Sequence, residues 1–233
     1  MDDSSVEVPD FSGDDFINDK EIQRARKEAQ AYKKLIEDSV AIVKSELSLQ
    51  ESSHKNFKKF QMFKGSTATI LDSYASSRFP PKLIVSIAEY RSSYATARYS
   101  NSGIDKYFFG YMETVKEFPP TYICKESIGE KIVSLFEKTD TDFPEYKKFS
   151  RRFNVITKDA RRLADLIMFK NLDELTAFPA MEVEIHANAC LFRHARVPVS
   201  PDEGIQFSAL AKILSNILNF KKRALAAVER RAK

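Results

Sequence analysis

Two sets of residues in this 233-residue chain have types and spacings that could do chemistry. The first is Glu182, His186, Cys190 and His194, which follow one another at steps of four. On a helix those steps align side chains on one face, and imidazole and thiolate are zinc ligands, so a metal site is the first hypothesis. Reach argues against it. His186 and His194 would stand about 12 Å apart along a helix axis, too far for one ion to take both. His54 and Cys124 are the remaining soft donors, so neither a metal nor any other cofactor is expected. The second set is a crowd of cations. Lys147, Lys148, Arg151, Arg152, Lys158, Arg161 and Arg162 share one stretch with only Glu145, Asp159 and Asp165. Such a run is often just a solvated face, but seven cations suit an anionic partner.

The rest of the chain tilts toward that second set. Residues 1–19 hold seven acids and no base, so a chain with net charge +4 carries +11 in its remaining residues. Gly-rich phosphate loops, nucleophile elbows, paired cysteine knuckles and HExxH are all missing, so a non-enzyme is expected. No apolar run is long enough to span a bilayer as a helix, and no signal peptide is visible. Cys124 and Cys190 lie far apart, and reduced thiols in the cytoplasm are the simplest account.

The elements that must position the cations read as helices. Six glycines and no tryptophan argue against a turn-rich β architecture. After a leader over 1–18, the residues Ile22, Ala25, Ala29, Tyr32, Ile36, Val40, Val43, Leu47, Phe57, Phe60, Leu71 and Tyr74 keep mostly steps of three and four, with a polar break midway at Gln50, Ser53 and His54. Leu83, Ile87, Tyr90, Tyr94, Phe108, Tyr111, Val115 and Phe118 continue the rhythm, and prolines punctuate it at Pro80-Pro81, Pro119-Pro120 and Pro144. Tyr146, Phe149, Phe153, Ile156, Ala160, Leu163 and Ile167 form a seam beneath the basic run. Ser200-Pro201-Asp202-Glu203 is a helix start: serine cap, proline at the first position, acids in the first turn. Three arms follow, roughly 19–78, 82–170 and 173–232, an all-α long kinked antiparallel coiled coil.

Two stretches carry a resemblance. FPEYKKFSRRFNVITKDARRLADL (143–166) resembles the middle arm of the BAR domain family, amphiphysin- and endophilin-like, and QFSALAKILSNILNFKKRALAAVER (206–230) is similar to its last arm. The leader departs from the family: it is acidic where many relatives begin with a basic amphipathic helix, and no SH3-type module follows. The resemblance implies a domain over 19–233 that forms a crescent-shaped six-helix homodimer. Its implied function is to bind, sense or scaffold curved anionic membranes during trafficking or endocytosis, as a cytoplasmic, peripheral membrane protein.

Lys147, Lys148, Arg151, Arg152, Lys158, Arg161, Arg162 and Lys170 would then meet anionic membrane lipids, with Lys55, Lys58, Lys59 and Lys64 of the first arm as second choices. The alternative function is a soluble helical adaptor docking a small GTPase or coat protein. Nucleic acid is disfavoured, because the interleaved aromatics read as core and not as stacking platforms.

Overall fold

The computed structural model describes residues 19–53, 56–63, 68–76, 78, 82–96, 99–125, 146–167, 169–195 and 197–219; the side chains of 91–96, 99–104 and 169–171 are outside that description. The leader 1–18, the breaks at Pro80-Pro81 and Pro144, and the final stretch 220–233 also lie outside it.

The N-terminal helix fills only the first part of the arm expected over 19–78; Phe57 and Phe60 of that seam lie in a strap, and Leu71 and Tyr74 lie in a strand. α1 (Asp19–Leu47) holds its apolar seam through Val43 and Leu47, both buried, and stops where the polar residues begin. From there the expectation of an all-α coiled coil is overturned. The chain forms β1 (Leu49–Glu51), β2 (Thr69–Ser76), β3 (Leu83–Thr96) and β4 (Tyr99–Lys125). Two short helices, α2 (Lys147–Ser150) and α3 (Ala160–Leu166), flank β5 (Phe153–Thr157). A 3-10 stretch (Phe169–Ala177), β6 (Met181–His194) and α4 (Pro201–Leu218) complete the order. The fold is mixed α/β around a six-stranded antiparallel sheet, so neither the BAR resemblance nor the crescent dimer built on it stands.

The physical reason lies in how the sheet is covered. β3 pairs with Tyr99–Met112 of β4, β5 pairs with Thr121–Lys125, and β6 pairs with β4 on the opposite side from both. One face is packed by α1, α4, α2, α3 and the 3-10 stretch; the other is covered by a strap over 56–63 that contains a 3-10 turn, Gln61–Phe63. Leu83, Val85 and Ile87 point to the helices while Ile84 points to the strap. A strand buried on both faces has no polar side, so its run of apolar residues matches a helical period as readily as a strand's. Pro119-Pro120, expected to end a helix, lie inside β4 beside its register shifts at Glu113, Phe118 and Thr121, where a missing amide is tolerated.

Glycine sets two close approaches. Gly204 in the first turn of α4 lets the helix pass α1 so closely that a Cβ would sit 3.1 Å from the Ser39 carbonyl. Gly110 in β4 lies under the Phe192 ring, and a Cβ there would fall 2.0 Å from the nearest ring carbon. The Ser200 signature holds: its hydroxyl accepts from the Glu203 amide at 3.2 Å, and α4 begins at Pro201.

Candidate anionic-ligand surface

The basic run folds as α2, β5 and α3 in place of one long helix, yet its buried and exposed residues sort much as the seam required. Phe149, Phe153, Val155, Ile156, Leu163 and Ile167 are buried, and the Phe149 and Phe153 rings meet at 5.2 Å. Phe153 and Val155 face the helices while Ile156 faces the strap, as strand alternation demands. Backbone pairing fixes the unit to β4. Lys158 N–H donates to the Pro120 carbonyl, and Asp159 caps α3 by accepting from the Arg162 amide at 2.9 Å.

Lys147, Lys148, Arg151, Arg152, Lys158, Arg161 and Arg162 are all exposed on this unit. Arg152 donates to the Thr176 carbonyl, and Arg162 to the Glu117 carbonyl at 3.1 Å, so both guanidinium groups also tie the unit to its neighbours. Among the described residues, none of the seven forms an ion pair with a carboxylate. Lys58 and Lys59 are exposed on the strap over the other face, with the Lys59 ammonium 5.1 Å from the centre of the Phe60 ring. Lys55, Lys64 and the side chain of Lys170 lie outside the described residues.

The spacing-of-four set is dispersed by the strand. His186 is exposed, whereas Cys190 and His194 are buried on the helix side. Among the described residues, no three His, Cys, Asp or Glu side chains converge as metal ligands. Burial, with Glu184 adding to it, pushes the Cys190 thiol well above its usual range, which removes it as a ready thiolate.

Sequence reasoning missed three buried polar arrangements. On the strap side, Glu184 accepts from the Gln61 and Met62 amides at 2.8 and 3.0 Å and so pins the strap's turn. Beside it Glu182, 3% exposed, takes Arg193 Nη2 at 2.6 Å and Nε at 2.7 Å. The guanidinium lies against both the Tyr90 and Phe109 rings, which stack on each other, and donates to the Tyr90 hydroxyl at 3.2 Å. Burial, the largest single influence, works to lower the Arg193 pKa, but Glu182, through its charge and hydrogen bond, together with Tyr90 and Tyr122 holds the group above its usual value.

On the helix side, His194 Nδ1 lies 2.8 and 2.9 Å from the two oxygens of Glu203, between the Phe178 and Phe207 rings. Its Nε2 is buried and, among the described residues, has no hydrogen-bond partner. Burial raises the Glu203 pKa against the opposing pull of His194. A raised carboxyl pKa means the folded chain keeps a proton that the unfolded chain has released. Stability from this group is therefore full below the usual carboxylate range and falls as pH rises through the raised value. Replacing His194 by phenylalanine removes the opposing pull. Urea unfolding of H194F should show a deficit against the parent that widens from pH 4 to pH 7; a deficit independent of pH would exclude the carboxylate as its source.

The fold and site define a mixed α/β protein with a basic surface. Neither a family model nor a curated protein matches the chain. Among the described residues no helix is long and apolar enough to cross a membrane.

Proposed function

We propose that this chain is a non-catalytic protein that docks peripherally on anionic membrane lipids through the α2–β5–α3 surface. The observation that carries the reading is the set of seven exposed cations, unpaired with described carboxylates, on a unit anchored by buried Phe149, Phe153 and Leu163. Near an anionic leaflet each lysine or arginine contributes about 1 kcal/mol, so several held on one rigid unit make a usable affinity that salt weakens. The aromatics of the unit are buried beneath it, which leaves phosphate contacts without a base-stacking platform. This favours a headgroup surface over a single-stranded nucleic acid.

Co-sedimentation with vesicles of phosphatidylcholine, with and without phosphatidylserine, tests the proposal. Binding should require the acidic lipid and weaken with salt. It should not depend on vesicle diameter, because the crescent that would read curvature is not part of this fold. Arg151→Gln with Arg161→Gln, neither of which makes a described contact, should weaken binding about thirtyfold. Binding that ignores acidic lipid would refute the proposal, and no binding at all would assign the surface to an acidic protein partner.

A further inference from the structure

A second surface lies on the far side of α1 from α4, where, among the described residues, part of the sheet edge is unpaired. β1 pairs only with Tyr74–Ser76 of β2, and Ser52 N–H extends that pairing to the Ser73 carbonyl. Thr69–Asp72 is hydrogen-bonded to β3 on one side and, among the described residues, to no strand on the other. A strand edge of this kind accepts a further strand through its own amides and carbonyls.

Directly beside that edge, α1 and the sheet enclose a groove of about 450 Å³, floored by Val40, Tyr74 and Ile87. The register shift between Ile70 and Asp72 creates it. Ile70 packs on the strap side, whereas Asp72 and Tyr74, of the same parity, turn to the helix side and line the groove. The rim is acidic. Glu37 and Asp72 flank it, and Asp72 with Glu51 supports the upward shift that burial imposes on the Tyr74 hydroxyl. Lys44, the one cation of the lining, has its ammonium 5.0 Å above the Tyr74 ring. Glu37 reaches Lys33 at only 3.8 Å with both side chains exposed, a contact of little energy that an incoming cation can replace.

The geometry points to a docking site for an extended peptide of another protein. The peptide adds as a strand along Thr69–Asp72, seats one large apolar side chain in the groove, and places a lysine or arginine against Glu37 and Asp72. Edge hydrogen bonds supply sequence-independent affinity, the groove selects the apolar residue, and the acidic rim selects its basic neighbour. This partner is opposite in charge to the one proposed for the α2–β5–α3 surface.

The test is selection of a random twelve-residue peptide library on the full-length protein, followed by fluorescence-polarisation affinities for the enriched peptides. Enriched sequences should carry a bulky apolar residue with lysine or arginine within three positions, and no central proline. Glu37→Lys with Asp72→Lys should weaken them at least tenfold. Ala41→Trp, an exposed position on the groove wall that can fill the space without touching the core, should do the same. No enrichment, or affinities unchanged in both variants, would overturn the inference. A concentration-dependent dimer that Ala41→Trp abolishes would assign the groove to a second copy and overturn it as well.

Discussion

Gly110→Ala is expected to destabilise the fold by roughly 3 kcal/mol, at the upper end of the cost of overpacking. The expectation follows from space and not from backbone conformation. The added methyl would lie 2.0 to 2.4 Å from three carbons of the Phe192 ring, far inside van der Waals contact. The ring has little freedom to retreat, being fully buried and stacked on Phe207 at 5.3 Å, while Phe207 leans on Phe108 at 5.4 Å. Moving Phe192 therefore disturbs the seam between β4, β6 and α4. Urea denaturation should show a lower midpoint, and trimming the ring in a Gly110→Ala, Phe192→Leu double variant should restore part of the loss. A midpoint unchanged in Gly110→Ala would mean that the sheet can open around the ring at no cost.

The second large effect concerns Glu182 and Arg193. Arg193→Met should cost about 3–5 kcal/mol, because it strands a buried carboxylate that has lost its cation. The Tyr122 hydroxyl, 3.4 Å from Glu182, is too long a contact to replace a guanidinium. Replacing both partners, as Glu182→Leu with Arg193→Met, should recover most of the loss, since two apolar groups need no partner in this layer. The cycle of single and double variants isolates the coupling. Additive losses would show that the guanidinium matters for packing against Tyr90 and Phe109 and not for its charge.

The sequence disclosed this fold unevenly, and for identifiable reasons. The starts of α1 and α4 were legible, the second from the Ser200 cap, but the end of α1 was not, because the polar residues at Gln50, Ser53 and His54 read as an interruption within an arm running to 78. The basic unit was legible as a partition: Phe149, Phe153, Ile156, Leu163 and Ile167 were placed inside, and they are inside. Its backbone was not, since a single turn of α2, a five-residue strand and the short α3 happen to repeat the steps of a helix. The sheet was hidden by its double covering. Tyr111 is buried under Phe57 and Phe60 of the strap, and its neighbour Met112 under the helices, so no polar residues alternate to betray a strand. Glu182 and Arg193 escaped notice for another reason. They stand eleven apart, an odd separation that the two-residue period of a regular strand puts on opposite faces.

That separation leads back to Ala187, which has φ of 54° in the middle of β6. Before it, Val183 and Ile185 face the helices; after it, Cys190 and Phe192 do. β4 makes its own change of phase: Phe118 and Ile123 both reach the helix side although five residues separate them. Each strand thus carries a frame shift, and the two shifts face one another across the ladder. Deleting one residue at 187 would leave the composition almost untouched but exchange inside for outside in all that follows, sending Arg193 toward the helices and Phe192 toward the strap. In β6, then, length constrains the fold more strictly than identity: a similar side chain keeps its face, whereas an insertion or deletion exchanges the faces unless β4 compensates it.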